Sequence, residues 1–364
     1  MDRQLIWAVR AQGVSKTRKK LSELAEREDL FDLSLIDTSS EEYENALYNF
    51  QKAEEMGAEI VTYIDERYPE KLKHINQPPA VLYVLGNADI LSDIVFTGMV
   101  GARRSDSYGI RMAETIAAEI GQTGVGIISG GAIGIDAASH RGALRAKAPT
   151  VAVLGSGLDN LYPKDNLKLF EDIIANDGAV ITEFPFGMEP LAENFPRRNR
   201  IIAGLSTVLV VVRAAKRSGS LITASQALNQ GITVFSVPGN IDDRLSGGTN
   251  ELIRDGAIPL LSPMEVVDEL IAKVPDFFVR EKDRREERKE GRRKEAALKE
   301  KALKLDGLSE YEKEIVNLIA SGISAANLIE ENISFEAHRL TALLGMMEIK
   351  GIIKKGPDKK YIIL

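Results

Sequence analysis

Val100-Gly101-Ala102-Arg103-Arg104-Ser105-Asp106-Ser107-Tyr108-Gly109 is the stretch on which the reading of this chain turns. An apolar run, Ile94–Met99, precedes it. A pattern with Ile110, Ala113, Ile116, Ala117 and Ile120 on one helical face follows it. The order is therefore strand, tight polar loop, helix start. Backbone N–H groups at a helix start favour anions. This loop adds two guanidinium groups and two serine hydroxyls, so it is equipped to hold phosphate.

Outward from that loop, short β-rich runs alternate with helical stretches. The runs are Ala80–Leu85, Ile94–Val100, Val125–Ser129, Thr150–Leu154, Ala179–Thr182, Thr207–Val212, Ile232–Val237 and Ala257–Leu261. Val208-Leu209-Val210-Val211-Val212 is apolar on both faces, as a parallel strand covered by helices on each side must be. The predicted fold is α/β, a doubly wound, extended Rossmann-like parallel sheet. It spans residues 76–275, beginning at the Pro78-Pro79 pair. Residues 1–75 read as a compact helical domain. Residues 276–306, rich in Lys, Arg and Glu, read as a charged linker whose field largely cancels. Residues 307–364 pattern as three helices and a hairpin centred on Gly356-Pro357, which predicts a winged helix. Its expected recognition helix, Phe335–Glu348, offers only Arg339 as a strong cation. The wing carries Lys354, Lys355, Lys359 and Lys360.

The composition removes several kinds of chemistry. The 364 residues include no Cys and three His, which excludes thiol chemistry and a His-rich metal site. No apolar run approaches the roughly 20 residues of a membrane span, and no secretion signal opens the chain, so a cytoplasmic protein with no membrane partner is expected. The net charge is −7, but residues 22–70 alone sum to −12 and leave +5 for the rest. Binding follows the local field, not the total.

Unusual residues recur where a doubly wound sheet places its ligands, beyond the carboxyl ends of strands. Ser129-Gly130-Gly131-Ala132-Ile133-Gly134-Ile135-Asp136 follows one strand, and Gly155-Ser156-Gly157-Leu158-Asp159 with Tyr162-Pro163-Lys164 follows the next. Phe195-Pro196-Arg197-Arg198-Asn199-Arg200, Lys216-Arg217-Ser218-Gly219-Ser220 and Val237-Pro238-Gly239-Asn240 come after later strands. The Gly155 loop lacks the third Gly of a dinucleotide fingerprint, and no Walker-type loop occurs. No Ser/His/Asp order is persuasive, and Asp136 reads as a brace for the Gly loop. The profile is rich in phosphate-holding groups and poor in catalytic ones. It fits holding a polyanion better than breaking a bond, and no cofactor is expected.

Taken in order, these motifs resemble the DNA-processing protein A family (DprA, also called Smf) across most of residues 80–260. Gly204-Leu205-Ser206 and Gly248-Thr249-Asn250-Glu251-Leu252-Ile253 complete the series. The resemblance implies a core that binds and protects single-stranded DNA and helps load the RecA recombinase, in natural transformation or recombination. It also implies a homodimer. By motif it makes Arg103 the phosphate-binding arginine, beside Arg104. Lys164, Arg197, Arg198, Arg200, Lys216 and Arg217 become the accompanying cations. Gly101, Ser105, Gly130, Gly131, Ser218, Gly219 and Ser220 would supply backbone and hydroxyl contacts. Ala102 stands where many members carry Ser.

Single-strand binding without sequence preference needs a positive groove and aromatic faces for bases. Tyr108, Tyr162, Phe184, Phe186 and Phe195 are the candidates for those faces. Two other readings of the same loops are a small-nucleotide sensor and a LOG-like nucleoside monophosphate phosphoribohydrolase. The second is weakened by Thr223, which stands where that enzyme class carries its catalytic Glu.

Overall fold

The computed structural model describes residues 2–284, 308–356 and 359–363. Most of the expected charged linker lies outside the described residues. The chain forms two compact units, Met1–Glu281 and Lys282–Leu364.

In the first unit, helices α1 (Arg3–Gln12), α2 (Arg18–Ala25) and α3 (Glu41–Met56) lead into strand β1 (Glu59–Thr62). There follow α4 (Glu70–Lys73), β2 (Val81–Gly86), α5 (Ile90–Asp93), β3 (Phe96–Val100), α6 (Ser107–Gly121) and β4 (Gly126–Ser129). Next come α7 (Ile135–Arg145), β5 (Thr150–Val153), α8 (Leu167–Ala175), β6 (Ala179–Thr182), α9 (Asn194–Leu205) and β7 (Ser206–Val211). The unit continues through α10 (Ser220–Asn229), β8 (Thr233–Ser236), α11 (Gly247–Arg254), β9 (Ile258–Pro259) and α12 (Pro263–Lys273).

The nine strands form one sheet in the order β1-β2-β6-β5-β4-β3-β7-β8-β9. Pairing is parallel from β6 through β9, while β1–β2 and β2–β6 are antiparallel. The order runs β3 to β6 in one direction and β7 to β9 in the other. The switch point lies between β3 and β7, whose Gly98 and Leu209 are in register. Along β7 the side chains alternate between two cores. Leu209 and Val211 pack with α9 and α10, whereas Val208 and Val210 pack with α6 and α12. Burial on both faces explains the unbroken apolar runs.

The strands read from the sequence all form, within a residue or two of their expected ends. One element differs. Glu59–Thr62, inside the expected N-terminal helical domain, is an edge strand of the sheet. Gly57, at φ +64°, ends α3 in the left-handed conformation, and the β-branched Ile60, Val61 and Thr62 then extend. The N-terminal helices also share the sheet's core. Trp7 is fully buried, and its indole N–H donates to the Ala80 carbonyl at 2.8 Å. Leu21 and Leu24 lie in the same cluster as Leu72 and Leu205.

In the second unit, helices Glu310–Ala320, Ala326–Asn332 and Leu340–Ile349 precede a hairpin of β10 (Ile353–Lys355) and β11 (Tyr361–Ile363). That is the element order read from the sequence, with the third helix starting at Leu340 instead of Phe335. Among the described residues no helix is long and apolar enough to cross a membrane.

Candidate functional site

The loops that leave β3 and β7 face each other across the switch point, and backbone hydrogen bonds join them. Ala102 N–H donates to the Arg213 carbonyl at 2.7 Å, and Ile135 N–H donates to the Ala102 carbonyl at 3.2 Å. Gly134 sits at φ +84°, and a Cβ there would lie 2.4 Å from the Ala102 and Arg103 carbonyl oxygens. Only glycine lets the loops after β3 and β4 approach this closely.

Above these loops opens a cavity of about 710 Å³. Its walls include Gly101, Arg103 and Arg104 from the β3 loop, Arg217, Ser218, Gly219 and Ser220 from the β7 loop, and Phe195 and Arg198 from α9. Helices α9 and α10 both begin here, so the positive ends of their dipoles face the space. The Ser218 and Ser220 hydroxyls lie 2.8 Å apart and define that rim.

The arginines of the site divide into two kinds. Arg103, Arg104 and Arg217 are exposed, and none makes a hydrogen bond or ion pair within the described residues. The Arg103 guanidinium lies over the Phe195 ring at 4.9 Å from its centroid. Phe195 in turn meets Tyr162 edge-on at 5.9 Å, and Tyr162 is half-exposed. Arg198 is the opposite case, only 3% exposed. It donates to the Gly130 carbonyl at 2.6 Å and to the Val153 carbonyl. A Cβ on Gly130 would strike that guanidinium, so the glycine makes room for the arginine. Burial lowers the Arg198 pKa to about 10, and the neighbouring Asp136 carboxylate opposes that shift. Burial likewise pushes the Asp136 carboxyl up, against Arg198 and an N–H from Ala132.

The remaining candidates lie outside this cavity. Ser105 turns inward, its hydroxyl buried beside Gly109. Gly131 sits behind the wall against Phe170, and its carbonyl accepts from Asn166. Lys164 is exposed on the turn after β5. Arg197 projects over Phe184 at 5.4 Å. Arg200 grips both carboxylate oxygens of Glu183 and donates to the Gln77 carbonyl at 2.7 Å. Lys216 pairs with Glu251 at 3.2 Å and borders a neighbouring depression with Arg244. Of the aromatic candidates, Phe184 and Phe186 are buried and present no face to a ligand there.

One residue without an assigned role proves central. Arg213, buried at the end of β7, bonds Asp106, Asp243 and Ser246. A charged residue directly continuing the apolar run Val208–Val212 was the available signal. His140 is fully buried in α7, away from the cavity. Thr150 Oγ1 donates to the Ile127 carbonyl, so it accepts from His140 Nδ1–H at 2.7 Å. Burial pushes the His140 pKa down to about 3. The residue is a neutral core histidine. Among the described residues no group of three or more His, Asp or Glu side chains could hold a metal ion.

A second cavity, about 750 Å³, lies at the opposite ends of the strands, lined by Lys71, Asn76, Ser206 and Gln226. Ligands of open α/β sheets gather at carboxyl strand ends and switch points, which favours the Arg103 cavity.

Sheet and cavity define a doubly wound α/β protein with a cationic pocket at its switch point. The family model for DNA recombination-mediator protein A matches residues 59–271, and the chain belongs to that family. It is 40% identical over 216 residues to DNA processing protein DprA of Bacillus subtilis, an alignment covering 59% of this chain and 72% of that protein. It is 42% identical over 205 residues to Protein Smf of Escherichia coli, covering 56% and 54%. The solved structure of DprA from Streptococcus pneumoniae superposes with TM-score 0.60 at 33% identity, covering 74% of this chain and 98% of that one. That of DNA processing protein A from Helicobacter pylori, reported for its single-stranded DNA binding mode, superposes with TM-score 0.54 at 28% identity, covering 59% and 96%.

Proposed function

We infer that this chain binds single-stranded DNA in the switch-point pocket, phosphates against Arg103, Arg104, Arg217 and the first turns of α9 and α10. One observation carries the reading. Arg103 is exposed at the mouth of the pocket with no carboxylate partner, stacked on an aromatic ring beside a second half-exposed ring. A free guanidinium above an aromatic platform suits a strand with alternating phosphates and bases. The single-strand binding reported for the Helicobacter relative supports it.

Family membership extends the reading. The bound strand is protected and delivered to RecA recombinase in DNA uptake or recombination, by a cytoplasmic homodimer. The pocket holds the strand without cleaving it. Thr223 lines the wall where a phosphoribohydrolase needs Glu, and the nearest carboxyl group, Asp136, is buried behind Arg198.

The test is a titration of labelled oligothymidylate at several salt concentrations, with nucleoside monophosphate as competitor. Affinity that falls with salt and resists the mononucleotide supports a strand-binding pocket. Release of free base from the mononucleotide makes it an enzyme instead.

A further inference from the structure

A third cavity, about 370 Å³, lies far from the switch point, between α1, α3 and strand β2. Its size falls within the roughly 300–1,000 Å³ of small-molecule sites. Small side chains open it, Ala8 and Ala11 from α1 and Ala46 from α3, with Phe50 and Phe186 as aromatic walls.

Its polar groups are unequal. Asn49 is fully engaged, accepting from Phe186 N–H at 2.8 Å and donating to the Asn45 carbonyl at 2.6 Å. Glu183 is neutralised by Arg200. Tyr83 differs. It is only 8% exposed, its ring is held edge-on to Phe186 at 5.4 Å, and its hydroxyl has no hydrogen-bond partner. The phenol lines the cavity and offers a hydrogen-bonding group to whatever occupies it. At the rim, Lys16 is exposed and makes no ion pair.

We propose that this cavity is a nucleotide site, the base inserted between α1 and α3 with its polar edge on the Tyr83 hydroxyl and the phosphate on Lys16. The walls ask for a flat, largely apolar ring. The floor asks for one hydrogen-bonding edge on it, and the rim asks for an anion. A base joined to a phosphate meets all three, whether it is a free nucleotide or the end of a strand.

The test titrates the full chain, and in parallel its Arg103→Ala variant, with thymidine 5′-monophosphate, thymidine and 4-hydroxybenzoate. Saturable binding of the monophosphate is expected in both proteins, tighter than that of thymidine or the benzoate. Tyr83→Phe, which keeps the ring and the packing, is expected to weaken it about threefold to tenfold. Lys16→Ala is expected to weaken it and reduce its salt dependence. Displacement of the monophosphate by 5′-phosphorylated oligothymidylate assigns the site to strand ends, and failure to displace it assigns the site to free nucleotide. The proposal is overturned if no saturable binding occurs, if Tyr83→Phe leaves it unchanged, or if the benzoate binds as well. Binding that disappears in Arg103→Ala alone also overturns it, because it then belongs to the switch-point pocket.

Discussion

The Arg213 guanidinium reaches from the end of β7 to the Asp106 carboxylate at the start of α6, Nη2 to Oδ2, 2.6 Å. Asp106 also caps α6 by accepting from Gly109 N–H at 2.9 Å. The contact ties the two sides of the switch point together. It also occupies the carboxylate nearest in sequence to Arg103, which itself makes no ion pair among the described residues.

Replacing Arg213 by Met is expected to lower stability by about 2 kcal/mol. It strands Asp106 and Asp243, which are part-exposed and regain some hydration, so the loss stays below that of a fully buried pair. Asp106→Asn is expected to cost less, because Asn caps a helix nearly as well as Asp. Urea unfolding midpoints at neutral pH decide both.

Arg103→Ala is expected to weaken single-strand binding alike for all sequences, since a phosphate contact carries no base information. The log–log salt slope is expected to flatten by about 0.7 if one phosphate contact is lost. Arg103→Lys recovers only part of the affinity, because an ammonium cannot make a two-pronged contact or stack on Phe195. Thermal stability is expected to hold, as no ion pair is broken. Fluorescence titration across salt and a melting curve measure the two effects.

Arg198→Ala is expected to behave in the opposite way. It leaves the Gly130 and Val153 carbonyls without their donor and Asp136 without its cation, a loss of about 3 kcal/mol. The salt slope of the remaining folded protein is expected to stay unchanged, because a buried guanidinium releases no counterion. Chemical denaturation followed by the same titration separates these outcomes.

His140 makes the fold acid-sensitive. Its pKa is about 3 when folded and about 6.5 when unfolded, so the unfolded chain binds the proton more readily. The stability is fully present above about pH 6.5 and is lost as pH falls toward 3, about 1.4 kcal/mol per unit. At pH 5 the loss is about 2 kcal/mol, and His140→Asn is expected to remove it. Urea midpoints of both proteins at pH 7.5 and pH 5 provide the check.

Ending the chain at Glu281 is expected to leave single-strand affinity largely intact. The exposed cations of the pocket all belong to the first unit, and the helix Leu340–Ile349 carries no Lys or Arg within it. The oligothymidylate titration on the shortened chain measures this.

Much of the fold was legible in the sequence because both faces of the parallel strands are buried. That burial writes itself as runs such as Val208–Val212. Strand β1 was not legible, because four residues after an acidic helix carry too little periodicity to separate strand from helix end. Its partner β2 turns them into a strand. The fate of Arg198 was available in principle. Counting from the start of α9, it shares a face with Ile201, Ile202 and Leu205, the buried face of that helix.

By itself the sequence determined the doubly wound architecture, the clustering of glycine and arginine loops at carboxyl strand ends, and the family. These depend on local pattern and on spacing along the chain. Only the tertiary structure decided which cations are free. Arg197, Arg198 and Arg200 are neighbours in sequence, yet helical rotation sends one over Phe184, one into the wall and one onto Glu183. The availability of a charge depends on which carboxylates and carbonyls the other elements bring against it. Those partners lie far away in the chain, Gly130 for Arg198 and Asp106 for Arg213, and only the closed sheet brings them into contact.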